Sequence, residues 1–185
     1  MLWDKVNLLH NWMQPSVSNQ TLTRLFSAFT AQDTLAHGRL LARAIRAGKT
    51  DVARAIREHV LADEWTDFAH ASLAALWKKN HGHLYVVANP VTPDFLKVGM
   101  TRLAPDKRLK RLNNEAVVGE YICVEHWAVH DRHFLEAEVH RSFADLPRHK
   151  EHFACHWREL CPRVAAVVVA DRALFAAQGF TVPTF

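Results

Sequence analysis

Two short runs, LYVVA and FLKVGMT, flank the turn-rich NPVTPD, and this pattern constrains the fold more than any other feature of the chain. Gly82 precedes the first run, and Asn89-Pro90 closes it. Apolar, β-branched segments bounded by such turn formers predict two strands paired as an antiparallel hairpin with a longer loop. EYICVEHWAV, rich in β-branched and aromatic residues, predicts a third strand. Between them, Pro105 suits the first turn of a helix running to about Asn113. Asp131 is placed to cap a helix through Leu146, which Pro147 ends. A last helix covers about 156–177, with Pro162 in its early turns. Residues 81–185 therefore predict an α+β domain with a small three-stranded, mainly antiparallel sheet flanked by helices.

Residues 1–80 have a different texture, and predict an N-terminal all-helical region of four or five helices. LWDKVNLLHNWM stops near Pro15, and Asn19 or Thr21 caps the next segment through LTRLFSAF. DTLAHGRLLARAIRAG begins at Asp33 and ends at Gly48, and Thr50 or Asp51 opens DVARAIREHVLA. EWTDFAHASLAALWKKN closes on Lys78 and Lys79, where positive charge complements a helix C-terminus. RLLARAIRAGKTDVARAIREHV has the outline of a helix-turn-helix. The simpler and preferred reading is a plain helical bundle that supports the second half or pairs with a second copy as a homodimer.

Composition narrows the function classes. With 49% apolar residues the chain has enough material for a core. The net charge of +4 permits nucleic-acid binding without requiring it. Three cysteines, Cys123, Cys155 and Cys161, do not make a disulfide scaffold and fit a reducing compartment. The N-terminus carries Asp4 and no continuous apolar core, and the apolar run VAAVVVA is far too short to span a bilayer. The expectation is a cytoplasmic protein with no membrane partner.

Positive charge is concentrated in LKVGMTRLAPDKRLKRL, where Lys97, Arg102, Lys107, Arg108, Lys110 and Arg111 face only Asp106. A solvated helix face is one account of this run. A phosphate site is the other, and it would be sensitive to salt.

Five pieces in order then carry a resemblance: Gly82-His83-Leu84-Tyr85-Val86-Val87, Leu96-Lys97-Val98-Gly99-Met100-Thr101, Pro105-Asp106-Lys107-Arg108-Leu109, Leu135-Glu136-Ala137-Glu138-Val139-His140 and Glu151-His152-Phe153. Over about residues 82–170 the chain resembles the GIY-YIG endonuclease superfamily, in a phage and bacterial branch with lysine in place of the second signature tyrosine. His83 departs from the pattern where the first signature has glycine. The resemblance implies a metal-dependent endonuclease acting on DNA, with Mg²⁺ or Mn²⁺ as cofactor. In that scheme Tyr85 is the base or orients the water, and Lys97 is its partner or substitute. A nearby ammonium favours a phenolate, which makes the pairing chemically sensible. Arg108 braces the phosphoryl oxygens with a planar fork that stays charged. Glu136 ligates the metal, and His140, one turn later, orients that carboxylate or meets phosphate. Arg102, Lys107, Lys110 and Arg111 then hold the DNA backbone.

The residues themselves support part of this. A helix through 131–146 buries Leu135, Val139, Phe143 and Leu146 on one stripe, with Glu136 at its margin and Glu138 on the other side. One carboxylate with waters and substrate oxygens is an ordinary Mg²⁺ arrangement. Two other readings stand beside the enzyme: a non-catalytic nucleic-acid-binding or regulatory protein on the same scaffold, and a module whose helical half binds another protein. His149, His152, Cys155, His156 and Cys161 offer nitrogen and sulfur for zinc, but at no spacing of a closed zinc site.

Overall fold

The computed structural model describes residues 34–49, 62–114 and 118–183. The helices expected before residue 34 and across 50–61, including the second helix of the helix-turn-helix candidate, lie outside the described residues. The chain divides into two compact units, with the break between Lys79 and Asn80; Ala173–Thr181 belongs with the first unit.

In the first unit, α1 (Thr34–Arg46) and α2 (Ala62–Asn80) are helices, as their periodicity predicts. Helix α1 buries Leu40, Leu41, Ala44 and Ile45, and α2 buries Ala69, Leu73, Leu76 and Trp77. Gly38 faces the Ser72 carbonyl so closely that a Cβ would have no room. Past α1 the chain turns at Gly48, whose φ of 67° is a conformation that glycine adopts without a steric penalty. The Trp77 ring meets Phe175 edge-on at 5.6 Å between centroids.

The second unit is built on one antiparallel sheet. Its strands are β1 (Gly82–Ala88), β2 (Phe95–Thr101), β3 (Ile122–Val129), β4 (Arg148–His149) and β5 (His152–Ala154). They lie in the order β3-β1-β2-β5-β4. The class is α+β as expected, but the sheet has five strands and not three. The added β4–β5 hairpin turns through Lys150, which has a φ of 54°. A tight hairpin normally announces itself by Gly or Asn at such a position, and RHKEHF carries neither.

Helices cover both faces of the sheet. Helix α3 spans Pro105–Asn113, matching the sequence expectation, with Pro105 at its start. Its Leu112 packs with Tyr85 and Val87 on one face, joined by Leu109, Tyr121 and Cys123. Helices α4 (Arg132–Ser142) and α5 (Trp157–Ala176) supply the other layer. There Leu84, Val86, Leu96 and Val98 meet Leu135, Val139, Phe143, Leu160 and Val164. Full burial of each such side chain contributes roughly 1.5–3 kcal/mol, so this layer holds most of the unit's stability. Deep in the unit, the His130 Nε2 lies 3.0 Å from the Asp171 carboxylate, tying the end of β3 to α5.

Asp131 caps α4 as expected, its carboxylate accepting from the Phe134 N–H. The helix stops at Ser142, short of the expected Leu146. A contact from α5 accompanies the early end. Asp145 is drawn to Arg163 of α5 by paired hydrogen bonds of 2.8 and 3.1 Å, and the same guanidinium lies 4.5 Å from the Phe143 ring centroid. Phe143 stays buried, while Leu146 packs at the margin of the core.

Candidate active site on one sheet face and strand edge

Strand register builds the site. Directly paired residues in an antiparallel sheet point to the same side. Cys123, Val87, Lys97 and His152 form one row across β3, β1, β2 and β5, and His126, Tyr85 and Gly99 form the next. A third row brings in His83 and Thr101. The register shifts opposite Val86 and Val87, so Cys123 and His126, three residues apart, join rows on the same face. This is the face under α3.

Tyr85 and Arg108 meet there. The Arg108 Nε donates to the Tyr85 hydroxyl at 3.4 Å, a long but directed contact. Pro105 sets the start of α3, and Arg108 follows one turn on, above Tyr85. The buried Tyr85 ring lies across Gly99; a Cβ built there would sit 2.5 Å from the phenolic oxygen and 2.7 Å from Cζ. Gly99 is therefore the floor of the Tyr85 position. In a Gly99→Ala protein the ring must leave its place over residue 99, which disturbs its contact with Arg108. The expected result is a loss of roughly 1–3 kcal/mol of stability from overpacking, read in urea unfolding, and a fall in any Tyr85-dependent activity.

Lys97 lies two residues before Gly99 on the same face. Its ammonium is 2.7 Å from the Glu151 carboxylate, and this contact holds Glu151 below the usual carboxylate range. Glu151 is held twice, since its carbonyl also accepts from the Val98 N–H. Glu136 reaches the β2 edge from α4. Burial pushes its carboxyl up, nearby Glu151 adds to the effect, and a Met100 backbone hydrogen bond and Lys97 act the other way. His140 lies one turn further along α4. Burial, then Arg148, lower its pKa, while Glu151 and a Val98 backbone bond oppose them. Its ring stacks on Phe153 at 5.2 Å.

The expected residues thus fall into two groups along β2. Tyr85 and Arg108 form the first, and Lys97, Glu136 and His140 gather with Glu151 as the second. The cation against the Tyr85 oxygen is Arg108, while Lys97 takes Glu151. Arg102, Lys107, Lys110 and Arg111 are exposed. Lys110 and Arg111 occupy the last turn of α3, where positive charge also favours the helix itself. Sequence reasoning included Glu151, His152 and Gly99 in motifs but gave none of them a role in the site, and the structure supplies one for Glu151 and Gly99. The available signals were Glu151-His152-Phe153 and the glycine two residues after Lys97.

Among the described residues no group of three or more His, Cys, Asp or Glu side chains is arranged to hold a metal, and this includes the Cys155–Cys161 region. Burial pushes the Cys161 thiol up to about 11, which keeps it a protonated core residue. A single half-buried carboxylate remains compatible with a hydrated Mg²⁺. Glu136 fits that role: its charge is disfavoured by burial and by Glu151, and a cation would relieve both. Among the described residues no helix is long and apolar enough to cross a membrane.

No curated protein and no solved structure matches the chain. The T5orf172 domain is associated with endonuclease-like proteins and DNA binding, which supports a nucleic-acid activity at that coarse level. The family model that matches is this domain, over residues 82–168, and this corrects the sequence resemblance to the GIY-YIG superfamily, a different family.

Proposed function

We propose that residues 82–168 form a metal-dependent nuclease domain that hydrolyses DNA phosphodiester bonds. The observation that carries this reading is the placement of Tyr85 with Arg108 and of Lys97, Glu151 and Glu136 along one strand, β2. Cleavage needs charge neutralisation at the phosphoryl oxygens, an oriented nucleophile and help for the leaving oxygen. Arg108 offers its guanidinium to the phosphoryl oxygens. Tyr85, fixed between Gly99 and Arg108, orients the attacking water. Lys97, held by Glu151, adds a second fixed cation. Glu136 would hold Mg²⁺ or Mn²⁺, and such an ion polarises the phosphate and stabilises the leaving alkoxide. His140 braces this edge through Phe153 and Val98. The exposed cations of Arg102, Lys107, Lys110 and Arg111 draw the DNA backbone, so binding weakens as salt rises.

Supercoiled plasmid incubated with the full chain tests this. Conversion to nicked or linear DNA is expected with Mg²⁺ or Mn²⁺ and is lost in EDTA. Salt-sensitive binding with no cutting under any divalent cation would instead favour a non-catalytic nucleic-acid-binding protein.

A further inference from the structure

The chain has two tyrosines. The Tyr85 oxygen faces Arg108, and a guanidinium cannot accept a proton. The Tyr121 oxygen instead lies 3.1 Å from the His152 Nε2. In the neutral ring one nitrogen is an acceptor, and with Nε2 in that role the Tyr121 hydroxyl donates to it, the direction a proton relay requires.

Both ends of this pair are held in place. The Asn113 side chain accepts from the Tyr121 N–H at 2.8 Å and donates to its carbonyl at 3.1 Å. His152 sits in β5 beside Lys97. The rings bridge from the start of β3 to β5, three strand spacings apart, or roughly 14 Å. Tyr121 thereby packs against the Tyr85, Val87 and Leu112 cluster, on the face where Lys97 and Glu151 meet.

Resting on the nuclease reading above, the geometry points to Tyr121 and His152 as the relay that removes the proton of the attacking water. The water O–H breaks and its proton passes to the Tyr121 oxygen as the Tyr121 proton passes to the His152 Nε2. The hydroxide oxygen bonds to phosphorus and the P–O bond to the leaving sugar oxygen breaks. The leaving oxygen takes a proton from bulk water, and His152 later returns its proton to solvent. The groups facing His152 are Lys97 from β2, Glu151 in the hairpin turn, His149 from β4 and Tyr121. Burial, then Lys97, lower its pKa, with His149 also lowering it, while Glu151 and the His149 backbone bond oppose them. The balance keeps the imidazole neutral and able to accept a proton at neutral pH.

The test compares the full chain with Tyr121→Phe and His152→Gln on supercoiled plasmid with Mg²⁺, under single-turnover conditions. Glutamine can still accept the tyrosine hydrogen bond but cannot take the proton. Each variant is expected to cut about 100-fold or more slowly. The double variant should be no slower than either, because the two act as one unit. Plasmid affinity should stay within about twofold of native on the same account. The native rate should rise with pH through a step below the usual histidine value of about 6.5, and that step should vanish in His152→Gln. Nitrogen NMR of the histidines should find the His152 Nδ1–H tautomer, with Nε2 shifted by Tyr121→Phe. Native protein that cuts while either variant keeps its rate overturns the relay alone, even where the variant melts earlier. An Nε2–H tautomer overturns it as well. Native protein that never cuts overturns the nuclease reading and the relay together.

Discussion

Glu136→Gln is expected to abolish metal-dependent cutting and, in EDTA, to raise the melting temperature. The two outcomes share one cause. Burial and neighbouring Glu151 push the Glu136 carboxyl above its ordinary value, so its ionised form is disfavoured in the folded protein. A raised folded-state pKa means the folded chain binds this proton more tightly than the unfolded chain does. The penalty is absent below the unfolded pKa, grows as pH rises toward the folded value, and is full above it. Removing the charge should therefore stabilise the protein at pH 8 and leave stability nearly unchanged at pH 3. Mg²⁺ should raise the melting temperature of the native protein and not that of Glu136→Gln. A variant that cuts at the native rate, or gains the same stability from Mg²⁺, would remove Glu136 from the metal site.

Arg108→Lys is expected to slow cutting by roughly 100–1,000-fold, the usual effect of losing one transition-state donor. Lysine keeps the charge but loses both the planar fork and the Nε donor that meets the Tyr85 hydroxyl. Plasmid affinity at low salt should change little, because Arg102, Lys107, Lys110 and Arg111 remain. A single-turnover rate within a few fold of native would show that Arg108 serves only as one more surface cation.

Much of the second unit was legible in the residues. The Gly82–Ala88 and Phe95–Thr101 hairpin, the Pro105–Asn113 helix and the Asp131 cap all follow from local signals: turn formers, β-branched runs, and a proline or aspartate at a helix start. The stripe Leu135, Val139, Phe143 is buried as helical spacing requires, and it leaves Glu136 at the margin. The β4–β5 hairpin was not legible, because Lys150 takes a positive φ without the residue that usually signals one. The early end of α4 was hidden too, since the contact that accompanies it comes from Arg163, eighteen positions beyond Asp145. The family attribution drawn from short motifs is corrected by the match of residues 82–168 to the T5orf172 domain.

The sequence by itself determined the β1–β2 hairpin, β3, α3 and the start of α4, and which of their residues lean toward the core, because periodicity and caps act over one or two turns of chain. Only the tertiary structure decided partnership: Tyr85 with Arg108, Lys97 with Glu151, and Tyr121 with His152. Those pairings depend on strand order and register, which bring β3, β1, β2 and β5 side by side from positions as far apart in the chain as Lys97 and His152. A charge or a phenol carries no local record of the neighbour it will meet, since that neighbour is chosen by the burial of other residues on the opposite face of the sheet.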